Sequence, residues 1–111
     1  MSVHRQESEL PRDAAGRPNG KLIDVSRGAT QGFCLGISYY DGTEYPPLAA
    51  HDDQEAIYIL EGTGTAKVGG EEFPVRAGTA FYVGKGVPHA VKRDAASGSV
   101  KGLWTHGALR E

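Results

Sequence analysis

Short apolar segments separated by glycine and turn residues are the feature that most constrains the fold of this chain. Five of them follow one another between residues 55 and 93: EAIYIL, TAKV, EEFPV, AFYV and HAVKR. Their β-branched and aromatic residues suit a pleated sheet, and each is shorter than a typical helix. Gly69-Gly70, between the second and third segments, suits a two-residue hairpin turn with positive φ angles. We predict that the first three segments form a meander of antiparallel strands.

The flanking sequence extends this pattern to about eight short strands. Three further strands are predicted at KLIDV (21–25), GFCLGISYY (32–40) and SVKGLWT (99–105), and no segment has helical periodicity. Pro74 cannot donate a hydrogen bond, which places its strand at a sheet edge or a bulge. We therefore predict an all-β fold, a small antiparallel sandwich or barrel. Residues 1–20 are predicted to form a polar, irregular arm, and residues 21–111 a single domain.

Length and charge exclude several classes of function. A chain of 111 residues fits one domain, and a net charge of -2 offers no basic surface for nucleic acid. No apolar run approaches the roughly 20 residues needed to cross a bilayer, so we expect no membrane partner and a soluble, cytoplasmic protein. The single cysteine, Cys34, cannot form an internal disulfide, and it excludes a cysteine-rich zinc module. The expected partner is a small molecule.

Three potential metal ligands, His51, Glu55 and His89, lie at the ends of strand-like segments. Residues of equal parity share one face of a strand, so His51 and Glu55 point the same way as Ile57. Four residues of straight strand span roughly 13 Å, so the chain must bend between His51 and Glu55, and Asp-Asp-Gln at 52–54 suits such a bend. An antiparallel partner could bring His89 opposite Glu55. A helix would also place His51 beside Glu55, but Pro46-Pro47 and the downstream glycines argue against it.

Imidazole nitrogen and carboxylate oxygen are ligands for Fe(II), Mn(II), Zn(II), Ni(II) or Cu(II). Two histidines and one carboxylate that leave coordination positions open form the facial triad of non-haem iron oxygenases. The residue types therefore predict a divalent transition metal as cofactor.

The spacing of these residues resembles that of the cupins, whose two motifs read G(X)5HXH(X)3,4E(X)6G and G(X)5PXG(X)2H(X)3N. The matching positions lie between about residues 42 and 93 and are His51, Glu55, Gly62, Gly78, Gly86 and His89. The resemblance implies a small jelly-roll barrel with a divalent metal held inside it by His51, Glu55 and His89. Three positions depart from the motifs: Ala49 replaces the first histidine, Gly84 the proline and Arg93 the asparagine. The alanine implies either an open three-ligand site or a lost one.

The other polar candidates have simpler interpretations. Asp52 and Asp53 are expected to form a turn, and Cys34 to be a small buried hydrophobic residue. His4 in the arm and His106 near the carboxyl end are not expected to reach the site. Tyr40 is the candidate for a phenol in the pocket. Whether His106 or a tyrosine fills the space left at Ala49 stays open.

Two functions are compatible with this sequence. The preferred one is a metal-dependent enzyme acting on a small molecule, by a dioxygenase-type reaction first and an isomerase or lyase reaction second. The alternative is a non-catalytic module that binds a sugar-like ligand with a degenerate or absent metal site. Ala56, Tyr58 and Leu60 are predicted to form an apolar stripe on the outer surface, which a homodimer would cover, although the amino-terminal arm could cover it as well.

Overall fold

Eight antiparallel strands form the fold in residues 2–107, the part of the chain that the computed structural model describes. The strands are β1 (Gly20–Ile23), β2 (Cys34–Tyr40), β3 (Gln54–Glu61), β4 (Thr63–Val68), β5 (Glu71–Arg76), β6 (Ala80–Val83), β7 (His89–Arg93) and β8 (Val100–Gly107). Two 3₁₀ turns, Glu7–Glu9 and Val25–Arg27, complete the regular structure of this part. The all-β prediction with about eight strands is confirmed. Residue 1 of the predicted arm and residues 108–111 of the predicted domain lie outside the described residues. Between residues 2 and 107, no helix is long and apolar enough to span a membrane.

The strands divide between two sheets, with the orders β1-β2-β8-β3-β6 and β5-β4-β7. The predicted meander is therefore wrong for β3, which pairs with β6 and β8 instead of β4. The chain crosses between the sheets at Gly62. A residue with a side chain does not fit there, because the backbone φ is 88° and any Cβ would lie 2.7 Å from the Ser99 carbonyl oxygen. The predicted hairpin at Gly69-Gly70 does join β4 and β5. β5 is an edge strand, as Pro74 predicts.

The core lies between the two sheets and is built from alternate residues of the inner strands. Ile57 and Ile59 of β3 are buried, whereas Ala56 and Tyr58 are exposed, so the predicted alternation of this strand is confirmed. The facing sheet supplies further aliphatic side chains to the same cluster. Its buried members are Ile57, Ile59, Ala66, Val75, Val91 and Val100. Two of these residues, Ile57 and Val91, also line the cavity that contains the polar side chains.

The amino-terminal arm is tied to the barrel by ion pairs. Lys101 Nζ of β8 lies 3.0 Å from Glu7 Oε2, and Arg17 Nη1 lies 2.8 Å from Asp41 Oδ1. The Arg17 guanidinium also stacks over the Tyr39 ring at 4.2 Å. Since Val100 on β8 faces the core, Lys101 faces outward, and so the arm lies on the outer side of the five-stranded sheet at β2 and β8.

The first strand is shorter than predicted, because Asp24 does not continue it. Its carboxylate accepts hydrogen bonds from Ser26 N at 3.0 Å and from the Ser26 hydroxyl at 2.6 Å. An aspartate at this position caps a helical turn, which here is the 3₁₀ turn Val25–Arg27. Local side-chain capping therefore ends β1 at Ile23.

Candidate metal centre

The structure brings His51, Glu55 and His89 together, with one ligand atom of each within 4.8 Å of the others. Glu55 Oε1 lies 3.1 Å from His89 Nε2 and 3.7 Å from His51 Nε2. Glu55 and His89 are 6% and 7% exposed, whereas the His51 side chain is 41% exposed. The cluster thus has two buried members and one on the solvent side.

Each of these three residues reaches the centre by a different route. Glu55 points inward from β3, on the same face as Ile57. His51 precedes the strand, where residues 52 and 53 form the predicted bend. His89 begins β7 in the opposite sheet, so it meets Glu55 across the barrel and not as a strand neighbour. The expectation of an antiparallel pair between the two is therefore wrong.

Backbone hydrogen bonds hold His89 and His51 in place. Ala49 and His89 exchange two of them, at 3.0 and 2.9 Å, in an isolated β-bridge. Gly86 N donates to the His51 carbonyl at 2.8 Å, from a left-handed backbone with a φ of 72°. Since that conformation favours glycine, the second-motif Gly86 fixes the loop that carries His51.

His106 also reaches this centre, contrary to the sequence expectation. β3 and β8 are paired with Glu55 opposite His106, and His106 Nε2 lies 3.3 Å from Glu55 Oε2. The His106 ring contacts that of His51 edge-on, with centroids 4.7 Å apart. Its Nδ1 lies 2.8 Å from Asp53 Oδ1, so Asp53 is more than the turn former that was expected. His4 remains in the arm, hydrogen-bonded to the Ser2 hydroxyl.

Hydrogen bonds at the far side of two rings determine which nitrogen faces the centre. His89 Nδ1 lies 3.1 Å from the Val87 carbonyl oxygen, and His106 Nδ1 faces the Asp53 carboxylate. Both partners only accept hydrogen bonds, so Nδ1 carries the proton in each ring. Nε2 of a neutral ring is then a lone pair directed at Glu55. This is the arrangement in which histidines bind metals.

The Glu55 carboxylate is the group that the three histidines of the site approach. Its Oε1 is buried and forms no hydrogen bond, although His89 Nε2 is only 3.1 Å away. A buried carboxylate oxygen without a partner is costly, and a bound cation would remove that cost. A divalent ion among these nitrogen and oxygen donors therefore fits the residues that are present.

A cavity of about 690 Å³ opens beside these residues. It is lined by the site residues and by apolar and aromatic side chains, among them Ile57, Val91 and Trp104. The predicted Tyr40 lines it as well, and burial together with the nearby Glu55 charge raises the pKa of its phenol well above the ordinary value. Tyr40 therefore keeps its proton at neutral pH. Cys34 is also at the wall, where burial raises the pKa of its thiol.

Comparison with known proteins gives one family match and many similar folds. The sequence profile described as "Cupin domain" matches residues 37–106. The polyketide cyclase RemF from Streptomyces resistomycificus is 22% identical, with a TM-score of 0.76 over 96% of this chain and 79% of its own. The cupin domain of Schizosaccharomyces pombe Cnp3 is 16% identical, with a TM-score of 0.68 over 81% of this chain and 63% of that one. No curated protein matches significantly in sequence.

A structure of HppE with Fe(II) and substrate is 18% identical and has a TM-score of 0.70 over 93% of this chain. The match covers 59% of the HppE chain, so this chain spans less than two thirds of both HppE and the Cnp3 domain. Identities this low establish the fold alone. The structural similarity confirms the predicted jelly-roll barrel.

Proposed function

We propose a function for this chain, which belongs to the cupin family. It is a divalent-metal-dependent enzyme that acts on a small molecule in the barrel cavity. One observation carries the proposal: the buried Glu55 carboxylate has an oxygen without a hydrogen bond, close to the Nε2 atoms of His51 and His89. Protein interiors rarely leave such an oxygen unpaired. A divalent cation held by these three side chains provides the missing partner.

The residues around the centre indicate what kind of substrate it takes. A bound divalent ion supplies a Lewis acid for a carbonyl or enolate oxygen and, if it is iron, a centre for oxygen chemistry. Tyr40 can donate a hydrogen bond to a substrate oxygen, because its phenol stays protonated. Ile57, Val91 and Trp104 provide an apolar wall. The substrate class that fits is a small molecule with an apolar body and an oxygen donor.

A dioxygenase-type reaction is the first choice within this proposal, and an isomerase or lyase reaction is the second. The exposed side of His51 faces the cavity, where substrate would arrive. Fe(II) and a substrate are named for HppE and polyketide cyclisation for RemF, which illustrates the chemistry that barrels of this shape host. Fold alone does not determine which reaction applies here.

The alternative is a non-catalytic module that binds a sugar-like ligand. The observation in its favour is Ala49, which lines the cavity at the position of the first motif histidine. Trp104 and Tyr40 in the same cavity offer flat surfaces for a ring. A metal-free module of this kind would keep its ligand affinity when His89 is replaced by alanine, whereas the enzyme would lose metal and turnover together.

Metal content distinguishes the two functions. We expect near-stoichiometric divalent metal in protein purified without an affinity tag, measured by elemental analysis, and loss of that metal in His51→Ala. The His51 side chain is 41% exposed, so this substitution should leave the fold intact. His4→Ala, which removes a histidine in the arm, is the matched control and should keep its metal.

Metal identity then narrows the choice of reaction, since iron favours oxygenation and zinc or manganese favours Lewis-acid chemistry.

The single tryptophan provides a second readout of metal binding, because the Trp104 and His106 ring centroids are 5.3 Å apart. Paramagnetic Co(II) should quench its fluorescence and Zn(II) should not. Wild-type protein that holds no metal, even after incubation with divalent ions, would favour the binding module.

A further inference from the structure

We infer that His106, oriented by Asp53, is a fourth protein ligand of the proposed metal and takes the role left vacant at Ala49. The inference rests on the proposed function and adds a residue to its site. It starts from the position of the His106 ring, which lies between two carboxylates. Nδ1 is 2.8 Å from Asp53 Oδ1, and Nε2 is 3.3 Å from Glu55 Oε2.

Two carboxylates contact the His106 imidazole, and a neutral ring has only one N–H to donate. A carboxylate only accepts, so Asp53 takes the single N–H of a neutral His106 ring. The Nε2 lone pair then faces the lone pairs of Glu55 Oε2, and this contact is repulsive unless a proton or a metal ion lies between them. A divalent ion removes the repulsion, because it binds the imidazole lone pair and the carboxylate together.

The strand pairing fixes the position of His106 relative to Glu55. Glu55 and His106 are directly paired across β3 and β8, in the middle of the five-stranded sheet. Glu55 divides its oxygens, with Oε1 toward His51 and His89 and Oε2 toward His106. A bound ion would be held by the Glu55 carboxylate together with the facing imidazole nitrogens.

Packing limits the motion of the His106 ring. Trp104 and His51 both contact it edge-on, with centroid distances of 5.3 and 4.7 Å. The His106 side chain is 13% exposed, against 41% for His51. The buried ligands would thus be Glu55, His89 and His106, and His51 would be the ligand most accessible to solvent.

The number of coordinating imidazoles tests this assignment. Cu(II)-loaded protein, measured by pulsed EPR, should show three imidazoles in the wild type and two in His106→Gln. Asp53→Asn should keep three but bind Zn(II) about 10- to 100-fold more weakly in calorimetry, as expected when the partner of a metal-binding histidine is altered. Asp52→Asn is the matched control, because the Asp52 side chain is 97% exposed and pairs with Lys85; it should bind Zn(II) like the wild type.

The outcomes separate this inference from the proposed function. Wild-type protein that binds Cu(II) through only two imidazoles, with unchanged Zn(II) affinity in His106→Gln, would overturn the role of His106 and leave the three-ligand site standing. Wild-type protein that binds neither ion would refute both. Circular dichroism checks the fold of each variant, and should His106→Gln fail to fold, the imidazole count of the wild type and the Asp53→Asn affinity still decide.

Discussion

Replacement of Gly36 by alanine should strongly destabilise the barrel, because two neighbouring strands occupy the space a side chain needs. A Cβ on Gly36 would collide with Trp104 Cζ2 on one side and lie 2.8 Å from the Gly20 carbonyl oxygen on the other. The indole is not free to move away. Its Nε1–H donates to Ser38 Oγ at 2.8 Å, and its edge contacts His106.

The expected cost follows from these contacts. Overpacking a filled site costs about 1–3 kcal/mol. Loss of the Trp104 hydrogen bond to Ser38 adds about 0.5–1.5 kcal/mol, and the smaller entropy of the unfolded chain returns about 0.4–1 kcal/mol. We therefore expect Gly36→Ala to lower the free energy of unfolding by about 0.5–4 kcal/mol. For a chain of this size that lowers Tm by roughly 4 °C per kcal/mol.

Thermal unfolding followed by circular dichroism and by Trp104 emission measures this cost. Gly98→Ala is the matched control, since a Cβ at Gly98 meets nothing within 4 Å, and its Tm should stay close to that of the wild type. In a Trp104→Leu background, Gly36→Ala should cost less, because the colliding ring atoms are gone. A Gly36→Ala variant as stable as Gly98→Ala, or an equal cost in both backgrounds, would refute the reasoning.

Two further predictions concern the arm and the outer surface. The Arg17 backbone N–H and then its guanidinium lower the pKa of the Asp13 carboxyl from 3.8 to about 2, and the guanidinium also lowers the pKa of Asp41, so this contribution to stability is present above about pH 4 and is lost toward pH 2. Arg17→Ala keeps the backbone hydrogen bond to Asp13 and removes the side-chain bonds to Asp13 and Asp41. The stability gap between wild type and this variant, measured by urea unfolding, should therefore shrink as the pH falls over this range, and a gap that stays constant would contradict the prediction. Tyr58 and Tyr82 are 45% and 59% exposed on the outer face of the five-stranded sheet, and we expect them to be covered in a homodimer. Light scattering should then give a dimeric mass for the wild type and a monomeric mass for the double serine variant, whereas a monomeric wild type would contradict the proposal.

Strand positions in this chain were predictable because they depend on local chemistry. Glycine turns, aromatic and β-branched residues and side-chain alternation locate most strands to within one or two residues, as for β3 and β7. Strand pairing depends on which strands meet in space, and so the crossing at Gly62 was missed. The end of β1 was missed because the side chain of Asp24 competes with the strand for local hydrogen bonds.

Only the site residues with motif spacing could be predicted from the sequence. His51, Glu55 and His89 have the spacing of the two motifs, and the structure places them together. His106 was missed because the predicted strand 99–105 ended one residue before it. Continued by one residue, the alternation that buries Val100 also turns His106 inward. Its pairing with Glu55 joins residues about fifty positions apart, and no local pattern records that.

The loss of a motif histidine therefore does not by itself imply the loss of a metal. Ala49 keeps the backbone role of its position, since its two hydrogen bonds to His89 still hold the start of β7. The side-chain role is separable from it, because strands of both sheets point into the same small interior and any inward position near Glu55 can supply a ligand. On the proposed assignment that position is His106, with Asp53 beside it as the partner that fixes its ring. A barrel of this kind constrains where the ion lies more tightly than which residue binds it.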